Sequence, residues 1–370
     1  MIGFFVDDNA DERTRISRLL EQEGLEIDPR FEPYAPTDLR DALLNEKPDL
    51  VALDFRLDEE NLKENKYKGG ALAQILREAV LESPERDFPI ILVSTEKNIK
   101  QIYSIDKTSH DLFDQKYMKK SLNDKAYRSI CHREILSLAN GYKTISAANA
   151  AGRLNLGTLL DLEDEELEVL PLHGLAIDIK DANAVTHVIA RVLLRQMIGR
   201  AGPLLAEKDI AAHLGLAPDA EQISQVLEFL CAEGMGYGGV FSDGWIRVWR
   251  HRMDDWSTGV LGAPLSSFTG RERAEKLSEV TGLELMPAVS TWTGTSEELF
   301  SFACTVCEKP TERRNSVALY DKYLISYLER RRVCFNCLIR GELENRTSYT
   351  VDDGDVDIEA DLRSGRIERK

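Results

Sequence analysis

The sequence predicts an α/β protein whose first third forms a doubly wound, five-stranded parallel sheet, followed by a mostly helical region and a small four-cysteine module. Three observations support this prediction. Short apolar runs alternate with amphipathic stretches over roughly the first 125 residues. Polar residues follow the apolar runs at their carboxyl ends, where open α/β sheets place their chemistry. Two CxxC pairs lie near the carboxyl terminus.

The pattern of apolar residues places five strands, at 2–6, 25–33, 50–53, 89–94 and 111–116. Helices are predicted between them at 12–23, 37–45, 71–81 and 98–104, and a longer helix at 122–140 closes the unit. Gly24 ends the first helix, and Thr37 caps the second. Alternating strands and helices predict a parallel sheet that is covered by helices on both faces.

Composition and charge exclude several classes of protein. The 370 residues suffice for two or three domains. A net charge of −17 disfavours a protein that coats nucleic acid non-specifically, although it leaves room for a local basic patch. No apolar run reaches the roughly 18–20 residues that span a bilayer, so no membrane partner is predicted. The amino terminus lacks the features of a signal peptide, which predicts a cytoplasmic protein, and a reducing compartment favours metal binding over disulfides for the CxxC pairs.

Polar side chains follow four of the five predicted strands. Asp7 and Asp8 end the first strand, Asp54 the third, Ser94 the fourth and Lys116 the fifth. In a doubly wound sheet these ends meet at one edge, so three carboxylates, a hydroxyl and an ammonium share a pocket. Clustered carboxylates suit a hard divalent cation, while the lysine and the hydroxyl can receive phosphoryl oxygens. The sequence therefore predicts a phosphoryl-transfer site that uses Mg²⁺.

In the order and spacing of these residues, the first 125 or so positions resemble the receiver domain of two-component response regulators, which has a flavodoxin-like fold. The resemblance implies that Asp54 is the phosphoacceptor. It implies that Asp8 binds Mg²⁺ directly, that Asp7 holds it through water, and that the backbone carbonyl of Arg56 is a further ligand. A sensor kinase or a small phosphodonor would supply the phosphoryl group.

The same resemblance implies that Ser94 is the switch hydroxyl, that Lys116 contacts the phosphoryl group and that Phe113 is the switch aromatic. No enzyme activity is expected beyond self-phosphorylation and dephosphorylation. Two features depart from the family's pattern: the loop between Asp58 and Gly70 is long, and Tyr117 follows Lys116 where the family usually has proline. The alternative interpretation is a degenerate receiver that acts as a scaffold in a multi-component system, for example a defence system.

Composition shifts divide the chain into a receiver-like domain at 1–142, a linker at 143–180, a helical, winged-helix-like domain at 181–262, a zinc-binding module at 263–345 and an acidic tail at 346–370. The winged-helix-like domain combines helices at 207–216 and 219–232 with a strand at 245–250. Its second helix carries Asp219, Glu221 and Glu228 and no lysine or arginine. A helix with this negative charge would be repelled by the phosphates that flank the major groove. The domain is therefore predicted to contact proteins and not to read DNA.

The closing module contains two cysteine pairs that are separated by 26 residues: Cys304 with Cys307, and Cys334 with Cys337. Four thiolates satisfy the tetrahedral coordination of Zn²⁺ and leave no open position, so the site is predicted to be structural. The spacing fits a treble clef or a zinc ribbon and does not choose between them.

The charge reverses around this module, where eight basic residues face four acidic ones between Glu308 and Arg340. Arg330, Arg331 and Arg332 abut the second cysteine pair and form either a solvated helix end or a contact for nucleic acid. The acidic tail is predicted to be flexible and able to cover this patch in cis. The favoured prediction is a phospho-switched regulator, able to change its oligomeric state, whose output is a protein partner; a nucleic-acid-binding regulator is the alternative.

Overall fold

The computed structural model describes residues 1–58, 67–95, 112–182, 185–322, 324–347 and 349–368. The chain divides into two compact units. The first comprises Met1–Arg195 with Gly238–Trp245, and the second Gln196–Tyr237 with Ile246–Lys370. A search of the described residues found no helix with the length and apolar character needed to cross a membrane.

A five-stranded parallel sheet forms the centre of the first unit, with the strands in the order second, first, third, fourth, fifth. This order is the flavodoxin-like one, and it confirms the predicted fold class. The third and fourth strands are fully buried, as expected for a parallel sheet covered on both faces. The strands are β1 (Ile2–Val6), β2 (Glu26–Asp28), β3 (Leu50–Leu53), β4 (Ile90–Ser94) and β5 (Gln115–Met118).

Four longer helices accompany these strands. Asn9 caps the first of them, because its side chain accepts a hydrogen bond from the Glu12 amide, and Asp124 caps the last by accepting from the Tyr127 amide. The helix predicted at 98–104 lies outside the described residues. The helices are α1 (Ala10–Leu20), α2 (Pro36–Asn45), α3 (Gly69–Val80) and α4 (Lys125–Ala150).

The segment predicted as a linker at 143–180 is helical and belongs to the first unit. The boundary predicted at residue 142 falls inside α4, which continues because Ile145 and Ala148 are buried. A π-helix, Leu193–Ile198, follows the last of the short helices in this segment. These helices are α5 (Leu156–Leu160), α6 (Asp164–Val169), α7 (His173–Asp181) and α8 (Thr186–Val192).

A buried ion-pair network ties three helices of the first unit together. The guanidinium of Arg77 on α3 lies 2.7 Å from Asp114 and 3.2 Å from Asp87. The Tyr142 hydroxyl of α4 donates to Asp114 over 2.7 Å, and Nδ1 of His187 on α8 lies 2.7 Å from Asp87. Because a buried charge is costly unless it is paired, this network explains why the helical extension stays with the sheet.

The second unit contains the helix pair that was predicted from the sequence. Gly215 ends the first helix in the left-handed conformation, with φ 64°, and Asp219 caps the second. The predicted strand at 245–250 is shorter, because Arg250 begins a helix. The elements are β6 (Leu204–Leu205), α9 (Glu207–Leu214), α10 (Ala220–Ala232), β7 (Val248–Trp249), α11 (Arg250–Leu261) and α12 (Gly270–Thr281), with β6 and β7 antiparallel.

Two antiparallel strand pairs and three short helices complete the second unit. The segment predicted as a flexible acidic tail contains one of these helices. Ile358 and Leu362 lie one turn apart on it and pack into the core of the cysteine module, so the tail is part of the fold. The elements are β8 (Phe300–Ala303) with β9 (Pro310–Glu312), β10 (Ser316–Ala318) with β11 (Arg332–Cys334), α13 (Phe335–Ile339), α14 (Glu342–Arg346) and α15 (Val356–Arg363).

The start of α3 provides a test of how tightly the sheet edge is packed. A Cβ added to Gly69 would lie 2.1 Å from the carbonyl oxygen of Asp54, whereas a Cβ added to the neighbouring Gly70 would have no heavy atom within 4 Å. We expect Gly69→Ala to lower the free energy of unfolding by about 1–3 kcal/mol, since backbone must move. We expect Gly70→Ala to leave it unchanged or raise it slightly. Urea unfolding measures both, and equal stability of the two variants would contradict the packing described.

Candidate functional site

Asp54 follows β3 at the carboxyl edge of the sheet, as predicted, and its side chain is buried. Its Oδ2 accepts a hydrogen bond from the backbone amide of Arg56 over 3.0 Å. The Ser94 side chain, at the end of the neighbouring strand β4, hydrogen-bonds to the same carboxylate. The third and fourth strands therefore bring together the acid and the hydroxyl that the sequence assigned to one pocket.

The lysine of this site is Lys119 and not Lys116. The ammonium nitrogen of Lys119 lies 2.6 Å from Oδ2 of Asp7 and 3.1 Å from Oδ1 of Asp54. Its backbone amide donates to the carbonyl oxygen of Ser94 over 2.9 Å. Lys119 follows β5 directly, so it stands at the strand end that the prediction had placed at Lys116. The residue after it is Lys120, which again is not proline.

The reason for this correction is the position of the fifth strand. The strand was predicted at 111–116 but begins at Gln115 and runs to Met118. The carboxylate of Asp114, just before this strand, accepts hydrogen bonds from Arg77, Tyr142 and the Ile90 amide, and its backbone amide donates to the Ile90 carbonyl. The strand end therefore shifts towards the carboxyl terminus.

The predicted switch aromatic moves with the strand. Phe113 is 3% exposed and packs in the core of the sheet, ahead of β5. The position three residues before the lysine, which Phe113 holds relative to Lys116, is held relative to Lys119 by Lys116 itself. Burial and the positive charge of Arg195 lower the pKa of Lys116 to about 8. Relative to Lys119, the position expected for the switch aromatic is therefore occupied by a lysine, Lys116.

The electrostatics of the pocket are those of two buried acids that share one cation. Burial raises the pKa of Asp7, and the ammonium of Lys119 opposes that rise. Burial likewise raises the pKa of Asp54, against the lowering effects of Lys119, Ser94 and the Arg56 amide. The nearby charge of Asp54 raises the pKa of Asp7 further. With both acids ionised, the three side chains carry one net negative charge.

This donor set fits a hard divalent cation, which prefers carboxylate and carbonyl oxygens. Asp8 follows Asp7 at the same strand end and is half-buried, while Arg56 lies two residues beyond Asp54. Among the described residues, Asp7, Asp8 and Asp54 do not gather their ligand atoms as closely as the four cysteines do. A bound cation would offset the net negative charge of these side chains. Its candidate ligands are Asp7, Asp8, Asp54 and the backbone carbonyl of Arg56.

Lys119 and Lys116 are expected to affect stability in opposite directions. Lys119→Gln removes the cation that lowers the pKa of Asp7 and of Asp54, so both pKa values rise further. An acid whose pKa is raised on folding destabilises the protein as pH rises through that pKa. In metal-free buffer near neutral pH we therefore expect Lys119→Gln to cost about 1–3 kcal/mol.

Lys116→Gln is the matched control. Burial disfavours the charged form of Lys116, since its pKa is lowered, and removal of that charge is expected to leave the free energy of unfolding unchanged or to raise it. Urea unfolding of both variants over a pH series measures the contrast. The assignment of Lys119 fails should Lys116→Gln prove the more destabilising of the two.

The four cysteines of the second unit form the other candidate site. The sulfur atoms of Cys304, Cys307, Cys334 and Cys337 all lie within 4.8 Å of one another. The sulfurs of Cys307 and Cys334 are 3.9 Å apart, far beyond the roughly 2.05 Å of a disulfide. A tetrahedral Zn²⁺ with Zn–S bonds of about 2.3 Å holds its sulfurs about 3.8 Å apart. The cluster therefore has the size of a four-thiolate zinc site.

The backbone around the cysteines explains how they converge. The first pair lies in the turn between β8 and β9, while Cys334 ends β11 and Cys337 lies in α13. The amide of Cys334 donates to the sulfur of Cys304 over 3.3 Å, a contact that orients a ligand. A second pair that opens a helix resembles a treble clef more than a zinc ribbon.

Zinc binding can be tested on the whole chain. We expect about one Zn²⁺ per chain in the purified protein and much less after Cys307→Ser, because three thiolates leave the coordination sphere incomplete. Cys231→Ser is the control, since Cys231 is exposed and lies outside the cluster. Elemental analysis together with thermal unfolding measures both effects. A zinc content near zero in the unaltered protein would refute the site.

The arginines predicted as a nucleic-acid contact all take part in ion pairs. Arg330 lies 3.2 Å from Asp352, Arg331 lies 3.1 Å from Asp321, and Arg332 lies 3.7 Å from Asp355. Asp352 and Asp355 belong to the segment that was predicted as an acidic tail. In the structure this segment therefore pairs with Arg330 and Arg332 in cis, whereas Arg331 pairs with Asp321.

The amino-terminal part of the chain is similar to solved structures of receiver domains. A scan against protein-family models and a search of curated proteins each found no match. Among solved structures, the amino-terminal part is similar to a CheY-like receiver domain from Methylobacillus flagellatus, with 23% identity over 35% of this chain and 97% of that chain, and a TM-score of 0.25.

It is also similar to a receiver domain protein from Clostridium thermocellum, with 16% identity over 35% of this chain and 93% of that one, and a TM-score of 0.24. The receiver domain of the response regulator NarL from Mycobacterium tuberculosis matches with 18% identity over 38% of this chain and 96% of that chain, and a TM-score of 0.25. The sheet order itself carries the conclusion: the first third of the chain has a flavodoxin-like fold.

Proposed function

We propose that the protein is a cytoplasmic signalling regulator whose receiver domain accepts a phosphoryl group on Asp54. One observation carries the proposal: a buried carboxylate at the end of β3 that shares a pocket with Asp7, Ser94 and Lys119. Beyond transfer onto Asp54 and hydrolysis of the product, the proposed role is regulatory and not enzymatic. The four-thiolate site fits a reducing compartment, where thiolates persist.

In the proposed reaction, a carboxylate oxygen of Asp54 attacks the phosphorus atom of a sensor kinase's phosphohistidine or of a small acyl phosphate. The bond from phosphorus to the donor breaks, the donor keeps that electron pair, and an aspartyl phosphate forms. Catalysis of this step is mostly positioning and charge stabilisation. The ammonium of Lys119, already 3.1 Å from Asp54, would stay with the phosphoryl oxygens, and the Ser94 hydroxyl would donate to one of them.

The residues that would hold Mg²⁺ are Asp7, Asp8, Asp54 and the backbone carbonyl of Arg56. When bound, the ion supplies positive charge that offsets the phosphoryl oxygens. Asp7 and Asp54 already require more positive charge than Lys119 provides, which supports this assignment.

The output of the switch is proposed to be a change in binding to a protein partner or in oligomeric state. Two arrangements of a packed element are needed for such a response. Ser94 and Lys119 are joined through a backbone hydrogen bond at the ends of β4 and β5. A phosphoryl group that engages both side chains therefore acts on the edge of the sheet, where β5 and the start of α4 lie.

Phosphorylation of Asp54 is the central prediction. Incubation with acetyl phosphate and Mg²⁺ should add one phosphoryl group to the unaltered protein, and Asp54→Asn should abolish it because the amide is not a nucleophile. Asp58→Asn is the matched control, since Asp58 lies four residues on and pairs with the Arg56 side chain. Intact-protein mass spectrometry measures the added mass.

Two outcomes would count against the proposal. Retention of the phosphoryl group in Asp54→Asn would place the acceptor elsewhere. If the unaltered protein takes up no phosphoryl group from acetyl phosphate or from any phosphorylated kinase, and a beryllofluoride complex leaves its oligomeric state unchanged, the degenerate scaffold would replace the switch.

A further inference from the structure

The second unit carries a concentration of basic side chains that the receiver chemistry does not use. Two adjoining cavities of about 270 and 490 Å³ share Arg330, Arg332 and Glu329 in their walls. Together they are lined by eight basic and four acidic side chains, in a chain whose net charge is −17. We call the basic set the basic patch; its members are Arg200, Lys208, Arg247, Arg250, Arg313, Arg330, Arg331 and Arg332.

These cations repel one another. Burial lowers the pKa of Arg331, and the nearby positive charge of Arg200 lowers it further. Aromatic rings hold two of the guanidinium groups, with Arg331 over Tyr349 at 5.0 Å and Arg332 over Phe302 at 5.7 Å. The fold holds these like charges close together despite their repulsion, and the aromatic rings fix the orientation of two guanidinium groups. Such an arrangement is suited to binding anions.

Acidic side chains of the same chain already occupy part of this anion-binding surface. Asp352 pairs with Arg330 at 3.2 Å, and Asp355 lies 3.7 Å from Arg332 while accepting a hydrogen bond from the Ala318 amide over 2.6 Å. Both acids belong to the segment 352–357, which we call the acidic segment. Two of the four acidic groups in the cavity walls come from it.

We propose that the basic patch binds single-stranded nucleic acid, and that the acidic segment occupies part of this site as an internal competitor. Arginine is the side chain that best matches phosphate, and it supplies all but one of the eight cations. The cavities adjoin, so the charges form a track and not a single point. Tyr320 is 50% exposed and follows β10, which pairs with the strand that contains Arg332. Single strands stack on exposed aromatic rings of this kind.

A competing ligand must displace a segment that is covalently attached and therefore present at high effective concentration. Nucleic acid meets this condition because it carries one charge on every nucleotide of a continuous backbone, and its phosphates match the planar donor pair of arginine. With the acidic segment in place, the cavity walls still hold eight basic and four acidic side chains, and Asp321 and Glu308 pair with further basic members from outside the walls. A phosphate chain would therefore bind by competing with these carboxylates for the arginines.

The test uses the full chain and a labelled oligothymidine, with binding measured by fluorescence anisotropy over a range of salt. Arg330→Gln should weaken binding several-fold and reduce the salt slope by about 1, as loss of one phosphate contact does. Arg340→Gln is the matched control, because Arg340 is exposed near the same module but lines neither cavity.

The acidic segment gives a prediction of opposite sign. Asp352→Asn combined with Asp355→Asn keeps the side-chain oxygens that accept from the Gly354 and Ala318 amides, removes two competing charges and should tighten binding several-fold. Asp353→Asn combined with Asp357→Asn changes the net charge equally at exposed positions and should have a much smaller effect. Zinc content and thermal unfolding establish that each variant is folded.

Three results would overturn the proposal. One is the absence of salt-sensitive binding in both the unaltered protein and Asp352→Asn with Asp355→Asn. Another is unchanged affinity in Arg330→Gln. The third is polyglutamate binding as tightly as the oligonucleotide, which would assign the patch to an acidic protein segment. None of them bears on phosphorylation of Asp54, so the two proposals fail independently.

Discussion

The arrangement of the amino-terminal site depends on one buried interaction, the ammonium of Lys119 between the carboxylates of Asp7 and Asp54. It joins the ends of β1, β3 and β5, which are not consecutive in the chain. Each carboxylate is buried and has a raised pKa, so the ionised form of each depends on the shared cation for stabilisation. The sheet order makes this interaction possible, and the interaction in turn keeps two acids close enough to share a ligand.

The fold and the acidic half of this site could be predicted because they depend on patterns that few alternatives satisfy. The runs ending at Val6, Leu53 and Ser94 are apolar and short, and their ends are unambiguous. The lysine could not be placed in the same way. The fifth strand is polar, with Lys116 inside it and Lys119 just after it. Asp114 precedes the strand and is held by Arg77, which lies 37 residues away. Such a long-range ion pair leaves no local signal, and a small slip in register changes which side chain faces the pocket.

The carboxyl-terminal region shows the same contrast between local and tertiary information. The CxxC spacing was sufficient to predict the cysteine cluster, since each pair must wrap the same ion. The tail was predicted to be flexible from its acidic composition, yet Val351, Ile358 and Leu362 are buried or partly buried against the cysteine module. The signal was present in the helical spacing of Ile358 and Leu362, but six acidic residues between 352 and 361 outweighed it. Composition describes the solvent-facing side of a short helix and says little about the side that packs.

Net charge misleads for a related reason. A value of −17 describes the whole chain, whereas a charge acts over about 8–10 Å at physiological salt. Within that range Arg331 is influenced by Arg200, which comes from a distant part of the sequence, and Arg332 by Arg313 and its near neighbour Arg330. The second unit therefore contains a positive surface that an average over the chain cannot reveal. The same range explains why acidic residues that lie beside these arginines, such as Asp321, Asp352 and Asp355, offset their charge, whereas distant acidic residues do not. The ligands of a chain with this composition therefore depend on which charged side chains the fold brings close together.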